Sequence, residues 1–198
     1  MDAENTNLKT ERRPHLLVYA GPNGSGKSTI GMASEICGVY INADDIKAQS
    51  GCSDMEAAIE AEKLREYYLA HRKDFTFETV LSTFRNIDLI RRAHDAGYEV
   101  TCVFVLTASP DLNYFRVRSR ALSGGHNVEK ETVYKRYDKS LRNIAEVIPS
   151  CTEFRIIDNT ILPSTIYVRR ADGQEFAFEN EYWTRADIEA LLASQLKE

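Results

Sequence analysis

The sequence predicts an α/β fold: a mainly parallel five-stranded sheet between helical layers, followed by a C-terminal β-hairpin. Strand-like apolar runs alternate with helical segments along most of the chain, as they do where helices carry the crossovers of a parallel sheet. The first such run, Leu16-Leu17-Val18-Tyr19-Ala20, leads straight into Gly21-Pro22-Asn23-Gly24-Ser25-Gly26-Lys27-Ser28-Thr29, which completes the phosphate-binding pattern G-x-x-x-x-G-K-[ST]. With 198 residues and a hydrophobic fraction of 43%, the chain suits a single P-loop domain over 14–198, after a polar, flexible stretch over 1–13.

The elements follow in order. A helix after the loop is expected to run through about Cys37, ahead of a short strand Val39-Tyr40-Ile41-Asn42 whose end presents Asp44 and Asp45. Met55 to Arg72, rich in Ala, Leu and Glu, favours a helix on propensity, and Phe75-Thr76-Phe77-Glu78-Thr79 reads as the third strand. Asn86 to Ala96 is helical with Gly97 as a stop, and Glu99 to Thr107 is apolar enough for a strand buried on both faces. Ser109-Pro110 opens a helix to about Leu122, which Ser123-Gly124-Gly125-His126-Asn127 breaks. Val133, Tyr137, Leu141, Ile144 and Ile148 then fall at helical spacing, and Phe154 to Asp158 forms the fifth strand. Thr165 to Arg170 and Glu175 to Phe178 flank Ala171-Asp172-Gly173-Gln174, a hairpin signal, and Thr184-x-x-Asp187 marks a capping box for a last helix.

Composition narrows the function. A net charge of -5 and a sequence pI near 5.5 argue against an electrostatic nucleic-acid binder, which needs a basic face to displace phosphate counterions. No apolar stretch approaches the roughly 20 residues that cross a bilayer, and the polar start does not read as a signal peptide, so a cytoplasmic protein is expected. Cys37, Cys52, Cys102 and Cys151 are widely spaced, as buried reduced thiols rather than zinc ligands would be.

The loop implies a nucleoside triphosphate. Its glycines allow the tight turn that aims backbone N–H groups at the phosphates, Lys27 reaches the β/γ-phosphates, and Ser28 ligates Mg²⁺. The free N–H groups of the following helix add to that anion site. Asp44 lies where the second strand ends, at the sheet edge that gathers ligands in parallel α/β folds. It suits deprotonation of a substrate hydroxyl or the Mg²⁺ shell; the alternative makes Asp44 or Asp45 a helix N-cap. Glu78 and Thr79 share that edge, with Ser82 and Arg85 after them as further acceptor ligands, or they are solvated strand-end residues. Arg116, Arg118, Arg120 and Arg136 flank the Gly-Gly-His break, and a segment of about 120–136 is expected to form a lid whose arginines neutralise a transferring phosphoryl group. Helix geometry turns residues two apart by about 200°, so those at 116, 118 and 120 cannot all face one site; Arg120 and then Arg136 fit best. His126 is a phosphate contact or a turn residue.

Leu122-Ser123-Gly124-Gly125-His126 looks like the LSGGQ signature of transporter ATPases, but no strand ending in paired acids follows it. Nor does the chain before residue 158 show a second acidic metal motif of the usual apolar-run-plus-Asp kind, which pairs Ser28 with Asp44 as metal ligands.

In order along the chain, Tyr19 to Thr29, Ile41-Asn42-Ala43-Asp44-Asp45-Ile46, Phe77-Glu78-Thr79 with Leu81-Ser82, Gly97-Tyr98-Glu99-Val100, Arg116-Val117-x-x-Arg120, Gly124 to Val128 and Arg136-Tyr137 with Ser140-Leu141 resemble the zeta-toxin family of P-loop kinases. The resemblance covers most of 15–160, and its Gly-Gly-His lid is similar to that of a chromosomal subgroup. It implies the adenylate-kinase-like strand order 2-3-1-4-5 and a phosphotransferase using ATP, with GTP as an alternative, and Mg²⁺. It implies an alcohol acceptor on a small molecule, for which the best-known branch uses UDP-N-acetylglucosamine, and an antitoxin protein as partner. It places the general base at Asp44, the phosphate-binding lysine at Lys27 and the lid arginines at Arg120 and Arg136. Where that branch continues its acidic strand end with Gly-Thr-x-Arg, this chain has Glu78-Thr79-Val80-Leu81-Ser82. A regulatory ATP-binding protein acting through a partner, and a kinase for another metabolite or a nucleic-acid end, are the alternative readings.

Overall fold

The computed structural model of the chain describes residues 12–123 and 128–193. At its centre β1 (His15–Ala20) is flanked by β3 (Phe75–Thr79) and β4 (Glu99–Leu106), with β2 (Val39–Ile41) outside β3 and β5 (Glu153–Asp158) outside β4, all parallel. This is the expected order 2-3-1-4-5. The expected hairpin, β6 (Ser164–Arg169) and β7 (Glu175–Ala177), is no appendage. It joins antiparallel to β5 and extends one sheet to seven strands, β2-β3-β1-β4-β5-β6-β7.

Strands buried on both faces carry continuous apolar runs. Leu16, Val18 and Ala20 of β1 and Val100, Cys102, Phe104, Val105 and Leu106 of β4 are completely buried, so the loop after β1 starts from within the core. Helices α3 (Asp54–Ala70), α4 (Phe84–Asp95) and α7 (Ile144–Val147) contribute buried residues to the same core, as does α8 (Arg185–Leu192) through Ile188. Helix α4 presents Ile87, Ile90 and Ala93 at helical spacing. A smaller cluster of Val117, Val128 and Val133, with Tyr114 and Tyr134 packed on it, joins α5 (Pro110–Leu122) to α6 (Lys130–Arg142). No helix among the described residues is long and apolar enough to cross a membrane.

Local chemistry explains where the structure departs from the sequence pattern. Helix α1 (Lys27–Met32) stops well short of Cys37. The Ser34 hydroxyl donates to the Ile30 carbonyl, and Cys37 exchanges two backbone bonds with the Thr76 hydroxyl, which pins the chain extended along β3. The pattern from Val133 to Ile148 is not one helix. It breaks at Asn143, and α7 then runs into a 3₁₀ turn at Ile148–Ser150 that contains Pro149. A helix absent from the sequence reading, α2 (Ala43–Ser50), follows β2. Cys102 and Cys151 are buried free thiols, whereas Cys37 and Cys52 are only half-buried. Of the stretch 1–13 expected to be flexible, residues 1–11 lie outside the described residues, and Arg12 pairs with Asp74, which also accepts the His15 backbone N–H at 2.8 Å.

Asn143 breaks the helix because its side chain is spent elsewhere. Its amide donates to the Leu81 carbonyl at 2.8 Å, while the Ser140 hydroxyl donates to the Val80 carbonyl at 2.7 Å. Leu81 is fully buried and sits at φ +56°, a left-handed conformation that a side-chain-bearing residue holds only when its surroundings impose it. The Thr79 hydroxyl completes the hold by accepting the Leu81 N–H at 2.9 Å. Asn143→Ala leaves the Leu81 carbonyl unpaired and is expected to lower the unfolding free energy by about 1–3 kcal/mol in urea titrations, with the midpoint moving and the slope unchanged.

Candidate active site

The loop from Gly21 to Gly26 joins β1 to α1 and is held from three directions. The Gly21 N–H donates to the Thr79 carbonyl at 3.1 Å, the Ser25 N–H closes a turn onto Pro22 at 3.2 Å, and the Asn159 amide donates to the Ser25 carbonyl at 2.8 Å. Two of its glycines have no substitute. At Gly21 (φ +141°) a Cβ would lie 2.0 Å from the Val105 carbonyl oxygen, and at Gly24 (φ +80°) 2.3 Å from that of Asn113.

Over this loop opens a cavity of about 680 Å³. Asn23, Gly24, Lys27 and Ser28 line it from the loop and α1, Asp44 from α2, Glu78, Thr79 and Ser82 from β3 and the turn beyond, and Arg85 from α4. Arg120 of α5 and Arg136 of α6 line it from above the loop. Gly21, Pro22, Ser25 and Gly26 of the loop and Thr29 of α1 do not line the cavity.

Lys27 is the electrostatic centre. Desolvation pushes its ammonium down from the ordinary value; Glu78 and then Asp44 act to raise it, and Arg120 and Arg136 to lower it. Those four charges converge on one lysine from four different elements. Arg136 donates through Nη1 to the Asn23 side chain at 3.3 Å, which ties α6 to the loop.

Asp44 is not an N-cap, and neither is Asp45. Asn42 caps α2, its side-chain oxygen accepting the Asp44 N–H at 2.9 Å. The Asp44 carboxylate makes no hydrogen bond among the described residues and lines the cavity, which Asp45 does not. The carboxylate that touches Ser28 belongs to Glu78: the Ser28 hydroxyl donates to it at 2.7 Å, and the Tyr40 hydroxyl donates to its other oxygen. Desolvation, then the bond to Glu78, pushes the Tyr40 hydroxyl well above its ordinary pKa. An acidic residue beside Ser28 is thus present at the end of Phe75-Thr76-Phe77-Glu78, as Glu rather than Asp. Among the described residues no group of three or more His, Cys, Asp or Glu side chains is arranged to hold a metal.

The remaining residues divide. Thr79 supports the site from below, its hydroxyl accepting the Leu81 N–H and the Asn86 amide. Arg85 pairs with Glu62 at 2.7 Å at the rim. Arg116 turns away, donating to the carbonyls of Asn159 at 2.9 Å and Thr160 at 3.0 Å, and Arg118 is not in the lining. The centre of the expected lid, Gly124, Gly125, His126 and Asn127, lies outside the described residues, although Arg120, Val128 and Arg136 on either side of it all line the cavity. The sequence reading missed Arg65 of α3, whose guanidinium lies over the Phe77 ring and lines the cavity.

A family model described as Zeta toxin matches residues 1–172. An uncharacterized protein of Haemophilus influenzae is 28% identical over 127 residues, which is 61% of this chain and 91% of that one. Among solved structures, AvrRxo1-ORF1:-ORF2 with ATP aligns over 94% of the chain with a TM-score of 0.70 at 15% identity, and the chain spans 66% of that protein's length. The PezAT chromosomal toxin-antitoxin system of the human pathogen Streptococcus pneumoniae aligns over 94% of this chain and 86% of that one, with a TM-score of 0.58 at 17% identity. At these identities the likeness to the solved structures is one of fold.

Gly24→Ala tests the loop as built. The new methyl collides with backbone of α5, so the variant is expected to lose at least about 1–3 kcal/mol of stability, through strain and a displaced loop. Its urea midpoint and its affinity for a fluorescent ATP analogue should fall together.

Proposed function

The chain belongs to the zeta toxin family, and from that premise we propose that it is an ATP-dependent kinase. It transfers the γ-phosphoryl group to an alcohol on a small molecule, with a nucleotide sugar such as UDP-N-acetylglucosamine as the first acceptor to test. The observation that carries this reading is the single cavity onto which Lys27, Ser28, Asp44, Glu78, Arg120 and Arg136 all open.

Backbone N–H groups of the loop and the Lys27 ammonium would cradle the triphosphate, and the likeness to a protein crystallised with ATP supports that donor. GTP presents the same triphosphate to these groups. Arg120 and Arg136 stand where they would neutralise charge on the transferring group, and both come from the α5–α6 unit. The Ser28 hydroxyl and the Glu78 carboxylate are adjacent hard oxygen donors, a pair that fits Mg²⁺ and would hold it, where it would neutralise charge on the β- and γ-phosphates. Asp44 is the base: its carboxylate has no competing hydrogen bond, and α2 fixes its backbone. The acceptor oxygen bonds the γ-phosphorus, the bond from that phosphorus to the β–γ bridging oxygen breaks, and the acceptor proton passes to Asp44.

A protein partner is part of the proposal, because one relative belongs to a toxin-antitoxin system and another was crystallised as a two-component complex. The same observation supports a second reading, ATP-dependent engagement of a partner with no metabolite product. Incubation with γ-labelled ATP and a pool of UDP-sugars separates the two: the kinase labels a sugar nucleotide, whereas the regulator labels none and binds its partner only with ATP.

Two variants test the chemistry. Asp44→Asn should lower kcat by about 10²- to 10⁴-fold while ATP-analogue affinity stays near wild type, and full transfer by this variant removes Asp44 from the base role. Glu78→Gln replaces one accepting oxygen with an amide, so the Mg²⁺ concentration for half-maximal activity should rise about tenfold or more, measured by titrating the metal at fixed ATP.

A further inference from the structure

The cations around the cavity fall into two separate groups. Lys27 senses Arg120 and Arg136, whereas the charged neighbours of Arg65 are Glu62, Glu66 and Arg85. The first group sits with the phosphate loop. Arg65 lines the same cavity from α3, as do Met55, Ile59 and Glu62 of that helix.

Arg65 has been left without a partner by the pairing around it. Glu62, one turn earlier on α3, takes Arg85 at 2.7 Å. Glu66, the next residue, takes Arg92 through two bonds, at 2.9 and 2.5 Å, and Arg92 is further held by Asp88 at 2.9 Å. Arg65 itself makes no hydrogen bond or ion pair among the described residues. Its contact is the Phe77 ring, with Cζ 5.3 Å from the centroid, and Phe77 is fully buried. The cation–π contact holds the guanidinium near a fixed ring and leaves its N–H donors to whatever fills the cavity. Desolvation lowers its pKa and the two glutamates raise it, yet an arginine side chain stays charged in a protein. Glu62 and Glu66 offset part of its charge from a distance, but the N–H donors of the half-buried fork have no protein acceptor, and an anion in the cavity would complete them.

We propose that Arg65 binds an anionic group of the acceptor, a phosphate or a carboxylate, where α3 lines the cavity, and so selects charged acceptors over neutral ones. This rests on the kinase reading above. It narrows the acceptor class to hydroxyl compounds that carry a phosphate or carboxylate, nucleotide sugars and sugar phosphates among them.

The test begins with binding. Full-length protein is saturated with Mg²⁺ and a non-hydrolysable ATP analogue, which occupies Lys27, Arg120 and Arg136, and is then titrated by calorimetry with inorganic phosphate or, separately, malonate. The anion that binds more tightly to wild type identifies the source. Arg65→Ala should weaken that binding at least about tenfold, with ATP-analogue affinity within about twofold of wild type, and Arg65→Lys should keep part of it. Arg65→Gln, which retains the stem over Phe77, gives the same comparison if the alanine variant does not fold. Equal anion affinity in wild type and variants overturns the proposal.

Transfer from γ-labelled ATP is then compared between sugar phosphates or nucleotide sugars and the matching free sugars or nucleosides. Wild type should label the charged members, and Arg65→Ala should raise their KM about tenfold or more with kcat changed far less. Equal labelling of the neutral members overturns the assignment of Arg65. No labelled product, with Arg65-dependent anion binding intact, sinks the kinase reading and leaves the anion site standing.

Discussion

The parallel pairing of β3 with β1 is the constraint on which the site depends. Its register sets Tyr19 against Glu78 and Ala20 against Thr79, so β3 ends level with the start of the phosphate loop. Side chains alternate along a strand, and a slip of one residue would turn Glu78 to the opposite face. Ser28 would then lose the carboxylate it donates to, and so would Tyr40. Complete burial of Phe75 and Phe77 on β3 and of Leu16, Val18 and Ala20 on β1 makes such a slip expensive, so the core that stabilises the sheet also fixes the charge beside the loop.

How legible each part was in the sequence follows from how local its causes are. The phosphate loop is a contiguous word, and α5 announces itself through Ser109, which caps it, and Pro110, which opens it. The capping box at Thr184 is equally short-range, and the structure confirms it through Asp187. The early end of α1 depends on Thr76, distant in sequence, and the break at Asn143 on the Leu81 carbonyl. Neither partner could be read from the segment it interrupts.

The site divides along the same line. Lys27 was legible because the motif names it, and Asp44 because strand ends gather ligands. The contact of Glu78 with Ser28 was not legible, because the bond spans fifty positions. Arg65 was invisible for a different reason: its significance lies in the pairings of Glu62 and Glu66 with Arg85 and Arg92 of α4. On α3 taken alone, Arg65 is one charge on a solvated helix.

Arg116 and Arg120 sit one helical turn apart on α5, and they grip different things. Arg120 faces the cavity, while Arg116 holds the carbonyls of Asn159 and Thr160, and Asn159 in turn holds the Ser25 carbonyl in the floor of the phosphate loop. The helix and the loop are therefore geared. A rotation of α5 that swings Arg120 out of the cavity also pulls on both Arg116 bonds and, through Asn159, on the loop itself. The small apolar cluster under Tyr114 and Tyr134 ties α6 and Arg136 to the same shaft.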